Sequence, residues 1–295
     1  MSTIAFLGLG IMGGPMAANL VAAGHDVVGF NRSPAAVERL VAAGGRGAGT
    51  VAEAVGNAEM IITMVPDSPD VEGLALGGDG IYAHAGEGAI HVDMSTIAPD
   101  VAVRLSAAGR AAGVRVLDAP VSGGEAGAEN GTLSIMVGAE EADFAAARPV
   151  LEVMGSTVVR VGPPGAGQTV KAANQLIVAG TLELVAEALV FLRASGVDPE
   201  AAVPVLAGGL AGSAVLDGKG PAMLAGDFTP GFRVDLHHKD LGIVVDSARE
   251  RGVVIPLGAV VAQLVAALRA AGDGGLDHSA LLRGVQRLSG VEVSG

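Results

Sequence analysis

Cysteine and tryptophan are absent from the 295 residues, and one tyrosine and six phenylalanines are the remaining aromatic side chains. Without cysteine the chain can form no disulfide, no zinc–thiolate site and no thiol-based catalytic centre. Because 50% of the residues are hydrophobic and only 2% aromatic, the core must consist of tightly packed Ala, Val, Leu and Ile. The 46 glycines show no periodicity, which argues against collagen-like or low-complexity sequence.

Positive charge is also scarce, since 18 Lys and Arg stand against 31 Asp and Glu and the net charge is −13. This balance argues against nucleic acid or an anionic membrane as a partner, although single cations and backbone dipoles can still bind small anions. Residues 1–8 lack a basic region and contain glycine, so we expect no signal peptide. The uncharged stretches 201–216 and 253–268 carry Gly and Pro and predict buried helices rather than membrane spans. We expect a soluble cytoplasmic protein.

Only three of the basic residues are lysines, namely Lys171, Lys219 and Lys239. Arginine cannot give up its proton in a protein, whereas a desolvated lysine can shift its pKa and transfer one. A chain that otherwise uses arginine therefore suggests proton chemistry for one of these lysines. Lys171 lies in a largely apolar helical stretch, with Asn174 on the same predicted helical face. Lys219, between two glycines, is expected to be a solvated ammonium.

Apolar runs alternate with helical segments in the first half of the chain. The predicted strands are residues 3–7, 27–30, 60–65, 89–94, 114–121, 133–137 and 157–161, and the predicted helices are 12–23, 34–43, 68–76, 99–112 and 139–154. This alternation predicts an α/β fold with a parallel sheet that is covered by helices on both faces.

The character of the sequence changes after Gly162-Pro163-Pro164-Gly165. Residues 167–194 can form one long helix, and the rest of the chain is predicted to be helical to its end. We expect breaks at residues 196–199, 208–209, 218–221, 229–231 and 272–275, where Gly and Pro cluster. The sequence therefore predicts a doubly wound domain in residues 1–163 and an all-helical domain in residues 164–295.

A glycine-rich turn follows the first predicted strand and opens the first predicted helix. It consists of Gly8, Leu9, Gly10, Ile11, Met12 and Gly13, and it fits the pattern G-x-G-x-x-G. The pattern alone is weak in so glycine-rich a chain, and a structural tight turn is the alternative. Its position favours a Rossmann-type dinucleotide site, because backbone N–H groups at a helix start can bind a pyrophosphate.

The second predicted strand ends in Asn31, Arg32 and Ser33. NAD enzymes usually place Asp or Glu at this point, where the carboxylate accepts hydrogen bonds from the adenosine ribose. Asn31 removes the charge that would repel a 2′-phosphate, while Arg32 and Ser33 offer a cation and a hydroxyl donor. We therefore predict that the cofactor is NADP(H) by preference, with NAD(H) possible; an exposed loop arginine is the alternative for Arg32.

Five motifs together resemble the β-hydroxyacid dehydrogenase family, which includes the 3-hydroxyisobutyrate dehydrogenases. They are the glycine-rich turn, Val92-Asp93-Met94-Ser95-Thr96, residues 118–124 (DAPVSGG), residues 131–138 (GTLSIMVG) and residues 171–175 (KAANQ). The match runs essentially from end to end, with the motifs in the family's order. The resemblance implies hydride transfer between NADP(H) and a short 3-hydroxy or 3-oxo acid. It also implies a helical second domain that pairs subunits into a homodimer or homotetramer.

The resemblance implies a role for each matching position. For the cofactor, the glycine-rich turn would line the pyrophosphate, Met64-Val65-Pro66 would pass the adenosine side, and Thr96 and Lys239 would lie near the nicotinamide. For the substrate, Ser122, Gly123 and Gly124 would bind the carboxylate. Lys171 and Asn174 would be the catalytic pair. The chemistry agrees, because a carboxylate needs a hydroxyl and unshielded backbone N–H groups, and an ammonium can stabilise and protonate an oxyanion. From the residues alone, 122–124 fit a plain strand-ending loop equally well.

Three further segments resemble the branch of this family that reduces tartronate semialdehyde to glycerate: residues 208–213, 228–237 and 277–281. Two alternatives remain open. One is NAD-linked oxidation of 3-hydroxyisobutyrate or another short 3-hydroxy acid. The other is a dinucleotide-binding module without catalysis, against which the presence of Lys171 counts. We expect no metal, because no zinc-type spacing accompanies His237 and His238, which we interpret as ordinary polar residues.

Overall fold

The computed structural model describes residues 2–291, and the chain divides into two compact units that meet between Lys171 and Ala172. The predicted division after residue 163 falls just ahead of the long helix Ala166–Ala194, whose first residues belong to the first unit. The assignment of residues 1–163 and 164–295 to two functional domains stays a prediction.

Within the described part of the first unit, one sheet contains β1 (Thr3–Leu7), β2 (Asp26–Phe30), β3 (Arg46–Gly47), β4 (Met60–Thr63), β5 (Ile90–Asp93), β6 (Arg115–Asp118), β7 (Val121–Ser122), β8 (Leu133–Gly138) and β9 (Gly155–Gly162). The strand order is β3-β2-β1-β4-β5-β6-β8-β7, and β9 pairs with β8. Strands β1 to β6 run parallel, so their carboxyl ends share one edge. The chain changes direction across the sheet between β1 and β4, where doubly wound folds bind ligands.

The helices of the first unit are α1 (Gly13–Ala22), α2 (Pro34–Ala42), α3 (Val51–Val55), α4 (Ser68–Leu76), α5 (Ile81–His84), α6 (Pro99–Ala111), α7 (Gly124–Asn130) and α8 (Glu141–Met154), and α9 (Ala166–Ala194) begins there. Alternate side chains of β1 enter different cores: Ile4 and Phe6 join one cluster, Ala5 and Leu7 another. Helices therefore cover both faces of the sheet, as the apolar runs predicted.

The predicted parallel sheet includes an antiparallel part at β7 and β8. Strand β8 runs antiparallel to both β6 and β7, while β9 returns parallel to β8 after α8. A parallel connection needs a crossover of a dozen or more residues between strands. Residues 119–132 already hold β7 and the short α7, so β8 turns back instead. The predicted strand 114–121 is accordingly split into β6 and β7.

The described part of the second unit is helical. After α9 come α10 (Pro199–Ala207), α11 (Ala214–Ala225), α12 (Val234–Glu250), α13 (Pro256–Leu268) and α14 (Leu281–Ser289), with a π-helical turn at Arg269–Asp273 and a 3₁₀ turn at His278–Ala280. The predicted break at residues 218–221 is wrong, because α11 continues through Pro221. Burial of Leu216, Gly220 and Met223 on one face holds this helix together.

Helix α9 is long and apolar enough to cross a membrane by length and composition alone, although 44% of its apolar 18-residue segment is buried inside the protein. Within the second unit its side chains Ala179, Leu182, Ala186 and Leu189 belong to the apolar core. A core helix with one buried face accounts for this composition.

Candidate functional site

The three glycines of the first turn have three different surroundings. Gly8 has φ of +103°, and a Cβ there would overlap the carbonyl of Met64, which follows β4. A Cβ at Gly13 would overlap the carbonyl oxygen of Gly8, so this glycine lets α1 approach the end of β1. A Cβ at Gly10 would meet nothing within 4 Å, which leaves open space beside the backbone. These are the steric roles of the glycines in a dinucleotide fingerprint.

The turn also fits the charge of a pyrophosphate. The first turn of α1 contains no acidic residue, and no side chain accepts a hydrogen bond from its backbone N–H groups as a cap. Ile11 is 46% exposed, whereas Leu9 is buried in the core. The residues of the turn that face solvent therefore carry the N–H groups that an anion needs.

Asn31 connects the glycine-rich turn to the loop after β2. Its Oδ1 accepts a hydrogen bond from the backbone N–H of Leu9 at 3.0 Å, and its Nδ2 donates to the carbonyl of Ser33 at 3.3 Å. Arg32 is 84% exposed and lies 3.9 Å from Asp70 on α4. The structure thus gives Asn31 an architectural contact that the sequence did not reveal, and leaves the Arg32 guanidinium at the surface.

The loops after β4 and β5 are tied together beside the turn. The backbone N–H of Val65 donates to Ser95 Oγ at 3.0 Å, and Ser95 N–H donates to Asp93 Oδ1 at 3.2 Å. Pro66 directly follows Val65 and is exposed, and Thr96 directly follows Ser95 and is partly exposed. The segment Met64-Val65-Pro66 and Thr96 are therefore neighbours at one edge of the sheet.

A buried polar network lies beneath these loops. Thr63 Oγ1 donates to Asp93 Oδ1 at 2.7 Å and lies 3.0 Å from His91 Nε2, whose ring contacts the hydroxyl of Tyr82. Burial raises the pKa of Asp93 to about 6, against the hydrogen bonds from Thr63 and Ser95 that lower it. Burial also lowers the pKa of His91 to about 3, so this imidazole is neutral.

The predicted carboxylate loop is formed where β7 passes into α7. Ser122 pairs with Ser134 on β8, and Gly123 and Gly124 follow with φ of +139° and +63°. A Cβ at Gly124 would meet nothing within 4 Å. The two glycines thus turn the chain in a way that other residues rarely adopt, and leave backbone N–H groups without side chains to shield them.

Lys171 reaches the same loop. Its Nζ donates to the backbone carbonyl of Val121 at 2.7 Å, and its side chain is almost entirely buried. Because Ser122 follows Val121 in the chain, the lysine ammonium and the Ser122-Gly123-Gly124 loop lie next to one another. The sequence predicted this association through resemblance, and no spacing rule would have revealed it.

The second unit places two other predicted residues on one hydrogen-bond chain. Asn174 Nδ2 donates to Gln175 Oε1 at 2.9 Å, and Gln175 Nε2 donates to Asp240 Oδ2 at 2.5 Å. The ammonium of Lys239 lies 2.8 Å from the other oxygen of Asp240. Asp240 is buried, and no sequence motif indicated a role for it. The only feature of the sequence that could have indicated this contact is the position of Asp240 directly after Lys239, the predicted cofactor-binding lysine.

The structure contradicts the prediction for Lys219 and defines the surroundings of His237. Lys219 is not a solvated ammonium, because its Nζ lies 2.9 Å from both oxygens of the buried Asp277. His237 is fully buried, with its Nδ1 3.1 Å from Nδ1 of His278. No cluster of three or more metal-ligating side chains occurs among residues 2–291. His237 is part of a packed ring cluster with Phe232 and His278.

Two family profiles match the chain, one on each side of residue 163. Residues 3–162 match the NAD binding domain of 6-phosphogluconate dehydrogenase. Residues 165–285 match the family described as NAD-binding of NADP-dependent 3-hydroxyisobutyrate dehydrogenase. The dinucleotide-binding geometry of the first turn and the profile over the same residues agree.

Known proteins match over nearly the whole chain. The 2-hydroxy-3-oxopropionate reductase of Escherichia coli K12 is 41% identical over 291 residues, 99% of either chain. The 3-hydroxyisobutyrate dehydrogenase of Pseudomonas aeruginosa is also 41% identical, covering 95% of this chain and 97% of that one. The structure of Mycobacterium tuberculosis 3-hydroxyisobutyrate dehydrogenase with L-serine has a TM-score of 0.87 at 37% identity, covering 96% and 98% of the two chains.

Proposed function

The chain belongs to the β-hydroxyacid dehydrogenase family, and within this family we propose that it reduces tartronate semialdehyde (2-hydroxy-3-oxopropionate) to glycerate with NADPH. It is a dinucleotide-dependent oxidoreductase of small hydroxy acids with an NAD(P)-binding Rossmann unit. The observation that carries the proposed chemistry is the 2.7 Å hydrogen bond from Lys171 Nζ to the carbonyl of Val121, beside the Ser122-Gly123-Gly124 loop.

The reaction adds a hydride and a proton to an aldehyde. A nicotinamide cofactor held by the residues named below would supply the hydride, which leaves the negative charge on the carbonyl oxygen of the substrate. Lys171 as an ammonium stabilises this oxygen and transfers its proton to it, which completes the alcohol. Asn174 follows one helical turn later on α9 and orients the reacting oxygen by hydrogen bonding.

The substrate's carboxylate is held by the loop between β7 and α7. Ser122 supplies a hydroxyl, and Gly123 and Gly124 supply backbone N–H groups that no side chain covers. A hydrogen-bonded carboxylate beside Lys171 fixes the reacting carbon within reach of the ammonium. The 41% identity to the E. coli 2-hydroxy-3-oxopropionate reductase supports this substrate class.

The proposed cofactor is NADP(H), with NAD(H) possible. The pyrophosphate would be contacted by the glycine-rich turn, which consists of Gly8, Leu9, Gly10, Ile11, Met12 and Gly13. The adenosine ribose and its 2′-phosphate would be contacted by Asn31, Arg32 and Ser33, and the adenosine side by Met64, Val65 and Pro66. The nicotinamide side would be contacted by Thr96 and Lys239. The exposed Arg32 guanidinium and the absence of a carboxylate at Asn31 support the preference for a 2′-phosphate. The proposed location is the cytoplasm.

Steady-state rates with Lys171 variants test the proposed function. Lys171→Ala should abolish NADPH-dependent reduction of tartronate semialdehyde while NADPH still binds, because the lysine acts on the substrate oxygen. Lys171→Arg should restore little, since its charge returns without a transferable proton. The matched control is Lys219→Arg, which keeps the ion pair with Asp277 and should retain wild-type turnover.

Two further arms define the substrate. The methyl ester of the acid should be a poor substrate, because it lacks the charge that the Ser122-Gly123-Gly124 loop binds. Turnover of the ester equal to that of the free acid would remove the carboxylate site from the proposal. Wild-type turnover in Lys171→Ala would move the proton-donor role to another residue.

A second substrate is favoured by one observation, the 41% identity to the P. aeruginosa 3-hydroxyisobutyrate dehydrogenase. Oxidation of 3-hydroxyisobutyrate with NAD, measured beside reduction of tartronate semialdehyde with NADPH, separates the two. The proposal requires the larger kcat/KM for tartronate semialdehyde.

We also propose that the helical unit joins subunits into a homodimer or homotetramer. Ile177, Leu184 and Phe191 recur every seven residues on α9 and are 68%, 62% and 70% exposed. Side chains at this spacing lie along one stripe of a helix, and an exposed apolar stripe is typical of a helix–helix interface. A second copy of the chain supplies the matching stripe.

A further inference from the structure

Asp118 caps a helix to which it does not belong. It is the last residue of β6 and is 3% exposed. Its Oδ1 accepts a hydrogen bond from the backbone N–H of Gly165 at 2.6 Å, and its Oδ2 accepts from the N–H of Gln168 at 2.8 Å. These N–H groups lie at the start of α9, whose first turn contains no acidic residue. A carboxylate at this point satisfies helix-start donors and interacts favourably with the helix dipole.

Two glycines make room for this carboxylate. A Cβ at Gly138, the partner of Asp118 on β8, would overlap Asp118 Oδ1. A Cβ at Gly167, in the first turn of α9, would lie 2.8 Å from Asp118 Oδ2 and would overlap the carbonyl of Met136. The start of α9 is therefore held against β6 and β8 at a distance that only glycine permits.

The same short segment of chain also holds the proposed proton donor. Val121, three residues after Asp118, accepts the hydrogen bond from Lys171 Nζ at 2.7 Å. Lys171 lies one helical turn after Gln168, about 4.5 Å farther along the axis at 1.5 Å per residue. Residues 118–122 thus fix the helix start, the lysine ammonium and the Ser122 end of the carboxylate loop together.

We infer that Asp118 is a positioning residue for Lys171, acting by fixing the first turn of α9 relative to the Ser122-Gly123-Gly124 loop. This role rests on the proposed function, in which Lys171 donates the proton. A carboxylate is required because it offers an acceptor oxygen to each of two backbone donors. Protonation of Asp118 removes the negative charge and so weakens its hydrogen bonds to both N–H groups, which loosens that end of the helix.

The surroundings of Asp118 make this protonation accessible near neutral pH. Burial raises the pKa of Asp118 to about 6, against the hydrogen bonds from Gly165 and Gln168 that lower it. The ionisable groups on the elements around Asp118 are the carboxyl of Asp93 on β5 and the ammonium of Lys171 on α9. Strand β8 contributes Gly138, which has no ionisable side chain. Burial raises the pKa of Asp93 to about 6 as well, and the charge of Asp118 adds to that rise. Lysine-dependent turnover should therefore fall as the pH drops through about 6.

The first test is Asp118→Asn. The amide keeps the size of the side chain but places an NH₂ group against one of the two backbone N–H donors. Displacement of a reacting group by about 1 Å can cost on the order of 100-fold in rate. We expect kcat with the semialdehyde to fall 10- to 100-fold at pH 8, the dissociation constant of NADPH to stay unchanged, and the acidic limb of the kcat–pH profile to disappear.

The matched control is Asp277→Asn in the second unit. Asp277 is also a buried carboxylate that accepts from two successive backbone N–H groups, those of Gly231 and Phe232, at 3.0 and 2.9 Å. Its replacement should lower the melting temperature at least as much as Asp118→Asn, with kcat and the acidic limb retained. An equal loss of kcat in the two variants overturns the inference, because general destabilisation then accounts for both.

Asp93→Asn is the second variant, and it keeps the inference testable if Asp118→Asn does not fold. Asp93 Oδ2 makes no hydrogen bond to the part of the chain that the structure describes, so an NH₂ at its place breaks no bond. Removal of the like charge should shift the acidic limb to lower pH. An unshifted limb contradicts the inference.

Lys171→Ala, measured alongside, separates this inference from the proposed function. An inactive Lys171→Ala together with wild-type kcat and an unchanged acidic limb in Asp118→Asn overturns the positioning role alone. Sustained turnover in Lys171→Ala overturns the proposed function, and the positioning role with it.

Discussion

The three lysines occupy three different chemical environments. Lys171 donates to the carbonyl of Val121, Lys239 forms an ion pair with Asp240, and Lys219 forms one with Asp277. Their scarcity in the sequence suggested a chemical role for one of them, and the resemblance assigned this role to Lys171, which stays a prediction. The Lys219–Asp277 pair could not be predicted, because the two residues are far apart in the chain and the pairing depends on tertiary packing, whereas Asp240 directly follows Lys239 in the sequence.

Arg32 carries the prediction about cofactor choice. Arg32→Ala should raise the KM for NADPH about 10-fold or more, since a hydrogen bond to a charged group contributes roughly 1.5–3 kcal/mol. The KM for NADH should stay within about twofold, because only the 2′-phosphate contact is lost. Initial rates with both cofactors measure the effect.

The control for this prediction is Arg39→Ala, which removes another exposed arginine from the end of α2. It should leave both Michaelis constants unchanged. Equal increases for NADPH and NADH in Arg32→Ala would show that Arg32 does not read the 2′-phosphate.

Sequence patterns predicted the longer elements well and the short or unusually directed ones poorly. The helix at Ser68–Leu76 was predicted with its observed bounds, whereas β3 and α5, with two and four residues, were missed. Elements this short carry no measurable periodicity. The antiparallel direction of β8 also escaped prediction, because residues 119–132 show no periodic pattern that would reveal the short β7 and α7 before it. Helix α11 continues through Pro221 because core burial of Met223 outweighs the local preference.

Helix α11 therefore contains a proline whose replacement should stabilise the protein. Pro221 is exposed in the interior of the helix and cannot donate a hydrogen bond to the carbonyl of Asp217. Pro221→Ala should raise the free energy of unfolding by about 1–2 kcal/mol, after the gain of freedom in the unfolded chain is included. Urea denaturation followed by circular dichroism provides the measurement.

Pro256→Ala is the matched control, because Pro256 occupies the first position of α13, where proline is favoured. This change should be neutral or destabilising. If the two substitutions shift the unfolding midpoint in the same upward direction, interior strain at Pro221 is not the cause.

At the scale of the whole molecule, the fold class and the family followed from the sequence, but the site could be predicted only as a set of motifs. The order of strands β1 to β6 follows from the doubly wound pattern that the glycine-rich turn indicated. The contacts of Asp118 and Asp240 could not be predicted, because no pattern in the sequence indicated their partners. Both are single acidic residues whose partners lie on other elements.

The exposed apolar stripe on α9 predicts that the protein forms a homodimer or homotetramer. Leu184→Glu places a charge at the middle of the stripe formed by Ile177, Leu184 and Phe191 and should shift the protein toward monomer. The wild-type protein should elute as a dimer or tetramer. Size-exclusion chromatography with light scattering, at several protein concentrations, measures both states.

Val103→Glu controls for the introduction of charge, because Val103 is 50% exposed on α6 in the first unit. It should leave the oligomeric state unchanged. A monomeric wild-type protein, or a Leu184→Glu variant with the wild-type mass, would contradict assembly through this stripe.

The division of the chain between Lys171 and Ala172 has a consequence for the exchange of parts among relatives. The boundary falls inside the uninterrupted helix α9, between the lysine and the asparagine of the proposed catalytic pair. A chimaera joined there would take its proton donor from one parent and Asn174 from the other. One residue added at the joint would rotate all later residues of the helix by about 100°. Recombination between members of this family should therefore tolerate junctions within α9 only when the two parents keep the same helical register across them.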